Sequence, residues 1–328
     1  MKSHTTKTIT LLVLLLLMLV FPVLASEPSP TPEENQAPAV EDLELTTYRG
    51  VDVSGTLIAL DPEGDLLEFQ VVRSPRKGTL ELDPPTGRFI YTPNENARGR
   101  DSFTYVAVDA LGNISPEATV RLRIERQSSQ VSYADMAGHP AHFAAVTLAE
   151  RDVFVGERIG ERHFFNPATP VRRGDFLAAS MRLAGTELLS GVSRTGFSDD
   201  DAIADWLKPY VSTAVLDGVV RGMRSDYHDL IFAPDHYITA NEAAVILSNV
   251  LGLSDAPVSA QLNAAFTVPP WAQQATANLT VRNILPPTLP GALQYTMTRA
   301  DVAEMLLGAI HVLEGRTMPS PSLLGWAI

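Results

Sequence analysis

The sequence predicts a multidomain chain: an all-β sandwich followed by an all-α bundle of three helix–loop–helix repeats. Two patterns carry that reading. Between residues 39 and 126, short alternating runs are separated by turn residues every eight to twelve positions, the signature of a sandwich. From 133 to 314 the chain matches itself three times at a period of about sixty residues, the mark of a repeat architecture. The 328 residues suffice for several ordinary domains, and no cysteine is present, so packing rather than disulfides must stabilise them.

The N-terminus reads as an export signal. Lys2 and Lys7 precede an apolar run from Leu11 to Val20, and Ala25 closes a stretch suited to signal cleavage. The run is shorter than the ~20 residues of a membrane span and Pro22 interrupts it. The expectation is residues 1–25 as signal peptide, no membrane span after cleavage, and a secreted, cell-surface location. Residues 26–38, rich in Pro, Ser, Thr and Glu, read as an extended linker.

Within 39–126 the expected strands are Leu43–Tyr48, Val53–Ala59, Leu67–Val72, Thr79–Leu82, Arg88–Tyr91, Ser102–Val108 and Thr119–Glu125. In the last of these Val120, Leu122 and Ile124 face inward and Arg121 and Arg123 outward. Asp61-Pro62-Glu63-Gly64-Asp65, Pro85-Thr86-Gly87 and Ala110-Leu111-Gly112-Asn113 supply turns. The wording DPEGDLLEFQVV, KGTLELDPPTGRFIYTPN and GRDSFTYVAVDALGNIS resembles bacterial Ig-like and cadherin-like repeats of surface proteins. That resemblance implies a spacer or adhesion module. Asp61, Glu63, Asp65 and Asp109 offer oxygen ligands of the kind Ca²⁺ takes, but no complete ligand loop is visible, and solvated turn caps account for them.

The helical repeats span 133–190, 195–255 and 264–314, with a tail at 315–328. Asp152, Gly218 and Asn283 align at the end of a first helix, where a left-handed residue is wanted. In the second repeat Ile203, Trp206, Leu207, Tyr210, Val211, Ala214 and Val215 recur at the spacing of one helix face. Phe165-Asn166-Pro167 and Phe232-Ala233-Pro234 align in the following loop. The second helix opens with Thr239 and Glu242, or Thr298 and Asp301, at the spacing of a capping box.

An aromatic-x-Asp start, a Trp in the first helix, Gly-Val-x-x-Gly, Phe-x-Pro and a closing Ile-Thr-Arg-Ala-Glu-like segment, repeated three times, resemble the S-layer homology (SLH) domain. The resemblance implies a pseudo-threefold bundle whose inter-repeat grooves hold the secondary cell-wall polysaccharide attached to peptidoglycan. By position in that motif, Arg173 and Arg299 would pair with an acidic sugar, Trp206 and Trp271 would carry a sugar ring, and Asp135 and Asp199 would accept hydroxyls or orient an arginine. Three departures stand out: Ala240 in the Arg place of repeat two, Arg172 and Pro140 in the Thr and Trp places of repeat one, and a third repeat without Gly-x-x-Gly or Phe-x-Pro. Core packing is the alternative role for both tryptophans, and helix capping suffices for Thr239, Glu242, Thr298 and Asp301.

The expected function is non-covalent wall attachment through the repeats. The alternative is a degenerate bundle that assembles with other envelope proteins without binding glycan. A net charge of −13, from 25 Lys and Arg against 38 Asp and Glu, disfavours nucleic acid. No nucleophile elbow, phosphate loop or His-Glu-x-x-His motif is present, so no enzymatic activity and no cofactor are expected. His139, His142 and His163 lack the spacing of a metal site, so no metal is expected either. Arg173-Gly174-Asp175 spells an integrin-type tripeptide, read as coincidence at the repeat motif.

Overall fold

The computed structural model describes residues 35–129, 131–256, 268–285 and 295–315. The signal at 1–25, most of the 26–38 linker, Phe266, Pro286-Pro287 and the Thr317–Ile328 tail lie outside the described residues. From Ala37 onward the described residues form one compact unit.

Seven strands build two sheets. One has the order β2 (Leu43–Tyr48), β9 (Ala118–Glu125), β8 (Gly99–Val108), β5 (Glu68–Arg73); the other runs β3 (Val53–Thr56), β7 (Arg88–Pro93), β6 (Gly78–Leu82). A short pair, β1 (Ala39–Val40) with β4 (Ala59–Leu60), was not foreseen; it splits the expected Val53–Ala59 strand in two. Strand alternation aims Phe103, Tyr105, Val120, Leu122 and Ile124 from one sheet at Phe89 and Tyr91 from the other. Phe89 and Phe103 meet edge to face at 5.2 Å. Arg121 and Arg123 point to solvent. The Tyr105 hydroxyl donates to Glu41 O at 2.7 Å and stands 3.0 Å from Ile58 O, tying β8 to the residue after β1 and the residue before β4.

Among the described residues six helices follow in three pairs: α1 (His142–Glu150) with α2 (Arg173–Leu183), α3 (Lys208–Leu216) with α4 (Ala240–Val250), and α5 (Gln273–Thr280) with α6 (Arg299–Leu313). Asp152, Gly218 and Asn283 all have positive φ, at 52°, 73° and 54°, and each turns the chain out of its helix. Helix α3 is shorter than the apolar spacing suggests. Asp200–Ala202 form a 3₁₀ turn, Ile203 is extended, and Pro209 sits in the first turn of a helix that starts only at Lys208. Two hairpins stand where loops were expected, β10 (Glu157–Ile159) with β11 (Arg162–Phe164), and β12 (Met223–Arg224) with β13 (Leu230–Ile231).

The segments ahead of α2, α4 and α6 close a ring. Val171 N–H donates to Met297 O at 3.0 Å, Met297 N–H to Ile238 O at 2.9 Å, and Ile238 N–H to Val171 O at 2.9 Å. Three flanking bonds repeat the pattern: Arg173 N–H to His236 O, Ala240 N–H to Tyr295 O, and Arg299 N–H to Thr169 O. Buried side chains Val171, Ile238 and Met297 fill the axis.

The sandwich joins the bundle through specific contacts. Val51 belongs to the bundle core, Tyr48 packs on Phe143 with ring centroids 5.4 Å apart, and Glu150 accepts from both Ser128 and Ser129. At the centre, Asp52 Oδ2 accepts from Gly138 N–H at 2.5 Å and lies 3.1 Å from His142 Nδ1, with both side chains buried. Burial by itself works to raise the Asp52 carboxyl, but hydrogen bonds from His142, Thr92 and Gly138 outweigh it and hold the group below its ordinary 3.8. A depressed carboxyl stabilises the fold above its unfolded pKa, and that contribution disappears as pH falls through the folded value. Asp52→Asn is therefore expected to cost about 2 kcal/mol near neutral pH. Thermal unfolding of variant and wild type side by side should show this gap shrinking once the pH drops below about 4.

Candidate functional site

The loop after each first helix is shaped by one carboxylate. Asp135 accepts from Phe165 and Asn166 N–H at 2.8 and 2.7 Å, and Asp199 accepts from Phe232 and Ala233 N–H at 2.9 and 2.8 Å. The same two-pronged grip holds Asn166 and Ala233 at φ 56°, a left-handed conformation that Ala adopts only when its surroundings impose it. These loops in turn serve a neighbouring repeat. Pro234 O accepts from Gly174 N–H at the start of α2, and Pro167 O from Ala300 N–H at the start of α6. Asp135 and Asp199, expected to contact a sugar or an arginine, have both oxygens committed to backbone amides.

Capping opens α4 and α6. Thr239 and Glu242, and likewise Thr298 and Asp301, exchange the two reciprocal side-chain-to-backbone bonds of a capping box.

The two arginines differ. Arg299 stacks over Phe154 and Phe165, 4.4 and 4.7 Å from their centroids, and donates to Phe165 O at 2.6 Å and Val155 O at 2.9 Å. The protein thus takes two of its five N–H donors and supplies two ring contacts. Arg173 makes the matching approach to Phe232 at 5.5 Å, yet it is 6% exposed, its Nε has no hydrogen-bond partner among the described residues, and its nearest carboxylate, Glu242, is 3.6 Å away. Burial pulls its pKa down and Glu242 acts against that shift, while a guanidinium keeps its charge regardless.

Arg173 is among the residues lining a cavity of about 640 Å³. The Gly218–Met223 turn, Glu242 and Asn249 of the second pair, and Trp271, Gln274 and Asn278 of the third, complete its walls. A smaller cavity of about 370 Å³ adjoins it, lined by Thr239, Asn241, Glu242, Pro269 and Trp271. The structure thus brings Arg173 and Trp271, distant in sequence, to one groove. Trp271 is 60% exposed and Trp206 is 56% exposed, so neither serves the core. Trp206 packs edge-on against Tyr210 at 6.3 Å and lines neither of these cavities. Arg173 and Gly174 are buried, so the Arg-Gly-Asp tripeptide is not presented as a unit.

Sequence reasoning did not single out Asn241, which lines the smaller cavity. The available signal was its place in the repeat alignment, where the sister helices carry the small residues Gly174 and Ala300. In the sandwich, Asp61 Oδ1 accepts from Glu63 and Asp65 N–H, and Asp109 Oδ1 from Leu111 and Asn113 N–H, so both cap turns. Among the described residues no group of three or more His, Asp or Glu is placed to hold a metal ion, and no helix is long and apolar enough to cross a membrane.

Residues 35–126 match the family described as bacterial cadherin-like domain, so the sandwich is a module of that kind. No curated protein sequence matches the chain. Similar solved structures include the endo-fucoidan hydrolase MfFcnA4 of glycoside hydrolase family 107, at 21% identity over 29% of this chain and 14% of that one, with a TM-score of 0.24. A mutant SrpA adhesin from Streptococcus sanguinis is 20% identical over 31% of this chain and 68% of that one, TM-score 0.25. Drosophila N-cadherin EC1-3 is 17% identical over 30% and 36%, TM-score 0.23. The chain spans only about one seventh of the hydrolase's length.

Because each loop aspartate accepts two backbone N–H bonds, Asp135→Ala and Asp199→Ala should each destabilise the helical region by about 2–4 kcal/mol. Urea unfolding followed at 222 nm measures this; a loss below about 0.5 kcal/mol would remove the aspartates from that role.

Proposed function

We propose that the chain is an exported surface protein that attaches non-covalently to the cell wall by holding an acidic wall glycan in the groove of Arg173, Glu242 and Trp271. The helical pairs act as SLH-type repeats, and the bacterial cadherin-like module serves as spacer or adhesion unit. The observation that carries this reading is Arg173: a buried arginine with an unpaired donor, in the lining of an open cavity. Such a group is costly unless a ligand completes it, and guanidinium geometry suits a carboxylate. Beside it, the exposed indole of Trp271 offers the flat apolar face against which a sugar ring can lie. The N-terminus of α4 adds a weak preference for an anion.

The arginine of the third repeat contributes to the fold more than to the ligand, since carbonyls take two of its five donors and two aromatic rings its faces. Repeat two has Ala240 at the equivalent place. Attachment therefore rests on a single groove and gains nothing from multivalency.

Co-sedimentation with purified walls, before and after acid removal of the secondary polymer, tests the reading. Wild-type protein should pellet only with polymer-bearing walls. Arg173→Ala should weaken retention about tenfold or more, whereas Arg299→Ala should change it less than about threefold once protein stability is matched. Equal retention on stripped walls, or an undiminished Arg173→Ala, would leave envelope assembly as the better account.

A further inference from the structure

Two side chains in the groove are buried with hydrogen-bonding atoms unused, and they are of opposite kind. Arg173 lines the larger cavity, and its donor Nε is buried without a partner among the described residues. Asn241 lines the smaller one, is 2% exposed, and its acceptor Oδ1 has no partner among the described residues. Glu242 and Trp271 line both cavities, so the two are adjacent halves of one groove. An unpaired buried carbonyl destabilises the fold that carries it.

The repeat makes this residue hard to explain by packing. Asn241 is the second residue of α4, and the corresponding residues are Gly174 in α2 and Ala300 in α6. Neither has a polar side chain, so the architecture works without an amide there. At Gly174 a Cβ would come within 2.6 Å of Leu207 Cδ2 and 3.3 Å of Pro234 O, which accounts for a small residue at that place in the first repeat. The second repeat instead accommodates a larger, polar one and leaves its acceptor unpaired.

We infer that Asn241 is the specificity-determining residue of the groove: its Oδ1 accepts a hydrogen bond from a sugar hydroxyl or acetamido N–H that lies across Trp271 from the anionic group held by Arg173. The ligand class is an acidic glycan with a hydrogen-bond donor next to its charge, and the inference rests on the glycan reading of the groove. Arg173 selects charge, and Asn241 discriminates among charged ligands. Simple anions engage only the first.

The experiment is equilibrium binding of the full chain to labelled wall polysaccharide released by acid, with thermal midpoints recorded for every variant. Asn241→Ala, which installs the residue of the third repeat, is expected to weaken binding about tenfold while its thermal midpoint holds or rises, because the unpaired oxygen is gone. The opposite signs separate a ligand contact from a structural one. A fall in both affinity and thermal midpoint, or an unchanged affinity, overturns the assignment. Arg173→Ala keeps the two levels apart: if it loses binding while Asn241→Ala does not, only the Asn241 inference fails, and if it binds like wild type the glycan reading fails with it.

Discussion

The closed ring of backbone bonds among Val171, Ile238 and Met297 is the constraint on which the helical half depends. Each residue gives its N–H to one neighbour and its C=O to the other, so no pair can be removed without opening the ring. The bonds are between residues far apart in the chain, and ordering them costs conformational entropy before any of them forms. The buried side chains at the axis and the helix faces beneath offset that cost. Once the ring is closed, the N-termini of α2, α4 and α6 are placed around one axis, and each loop carbonyl can reach the next helix start. The groove is a by-product of this placement: Arg173 arrives from the first pair, Glu242 from the second and Trp271 from the third.

The stability ledger is uneven around that axis. Arg299 ties its guanidinium to the protein with two carbonyls and two aromatic faces. Arg173 repeats the aromatic approach without the carbonyls. The two arginines therefore differ in kind: one is bonded to the protein, and the other keeps a buried donor without a partner among the described residues.

Much of the fold was legible in the sequence because local periodicity reports local packing. The six-residue run Leu43–Tyr48 is a strand with the expected ends, Arg121 and Arg123 face outward, and Asp152, Gly218 and Asn283 take the left-handed conformation that their side chains tolerate. The capping boxes follow from a spacing of three. What failed to show were interactions made at a distance. The apolar spacing that enrolled Trp206 in a helix face could not reveal that the helix starts two residues later, with Ile203, Leu207 and Val211 inside and the indole outside. Asp135 and Asp199 looked available because their amide partners lie some thirty residues on. His142 was weighed as a metal ligand, whereas its partner is Asp52 in the other half of the molecule. The hairpins β10–β11 and β12–β13 carry no strand alternation that a reader could use, being two or three residues per strand.

The parallel pairing of β2 with β9 has a mechanical side. Six residues of β2 face six of β9 in unbroken register from Leu43↔Val120 to Tyr48↔Glu125, and both strands run toward the bundle. Tension applied between the segment ahead of β2 and the helices after β9 pulls the two strands along their lengths in opposite senses. The rungs of that ladder are then sheared together instead of peeled one by one, so the sandwich yields only when the whole set gives way. A module built in this way transmits load to the helical half with little extension.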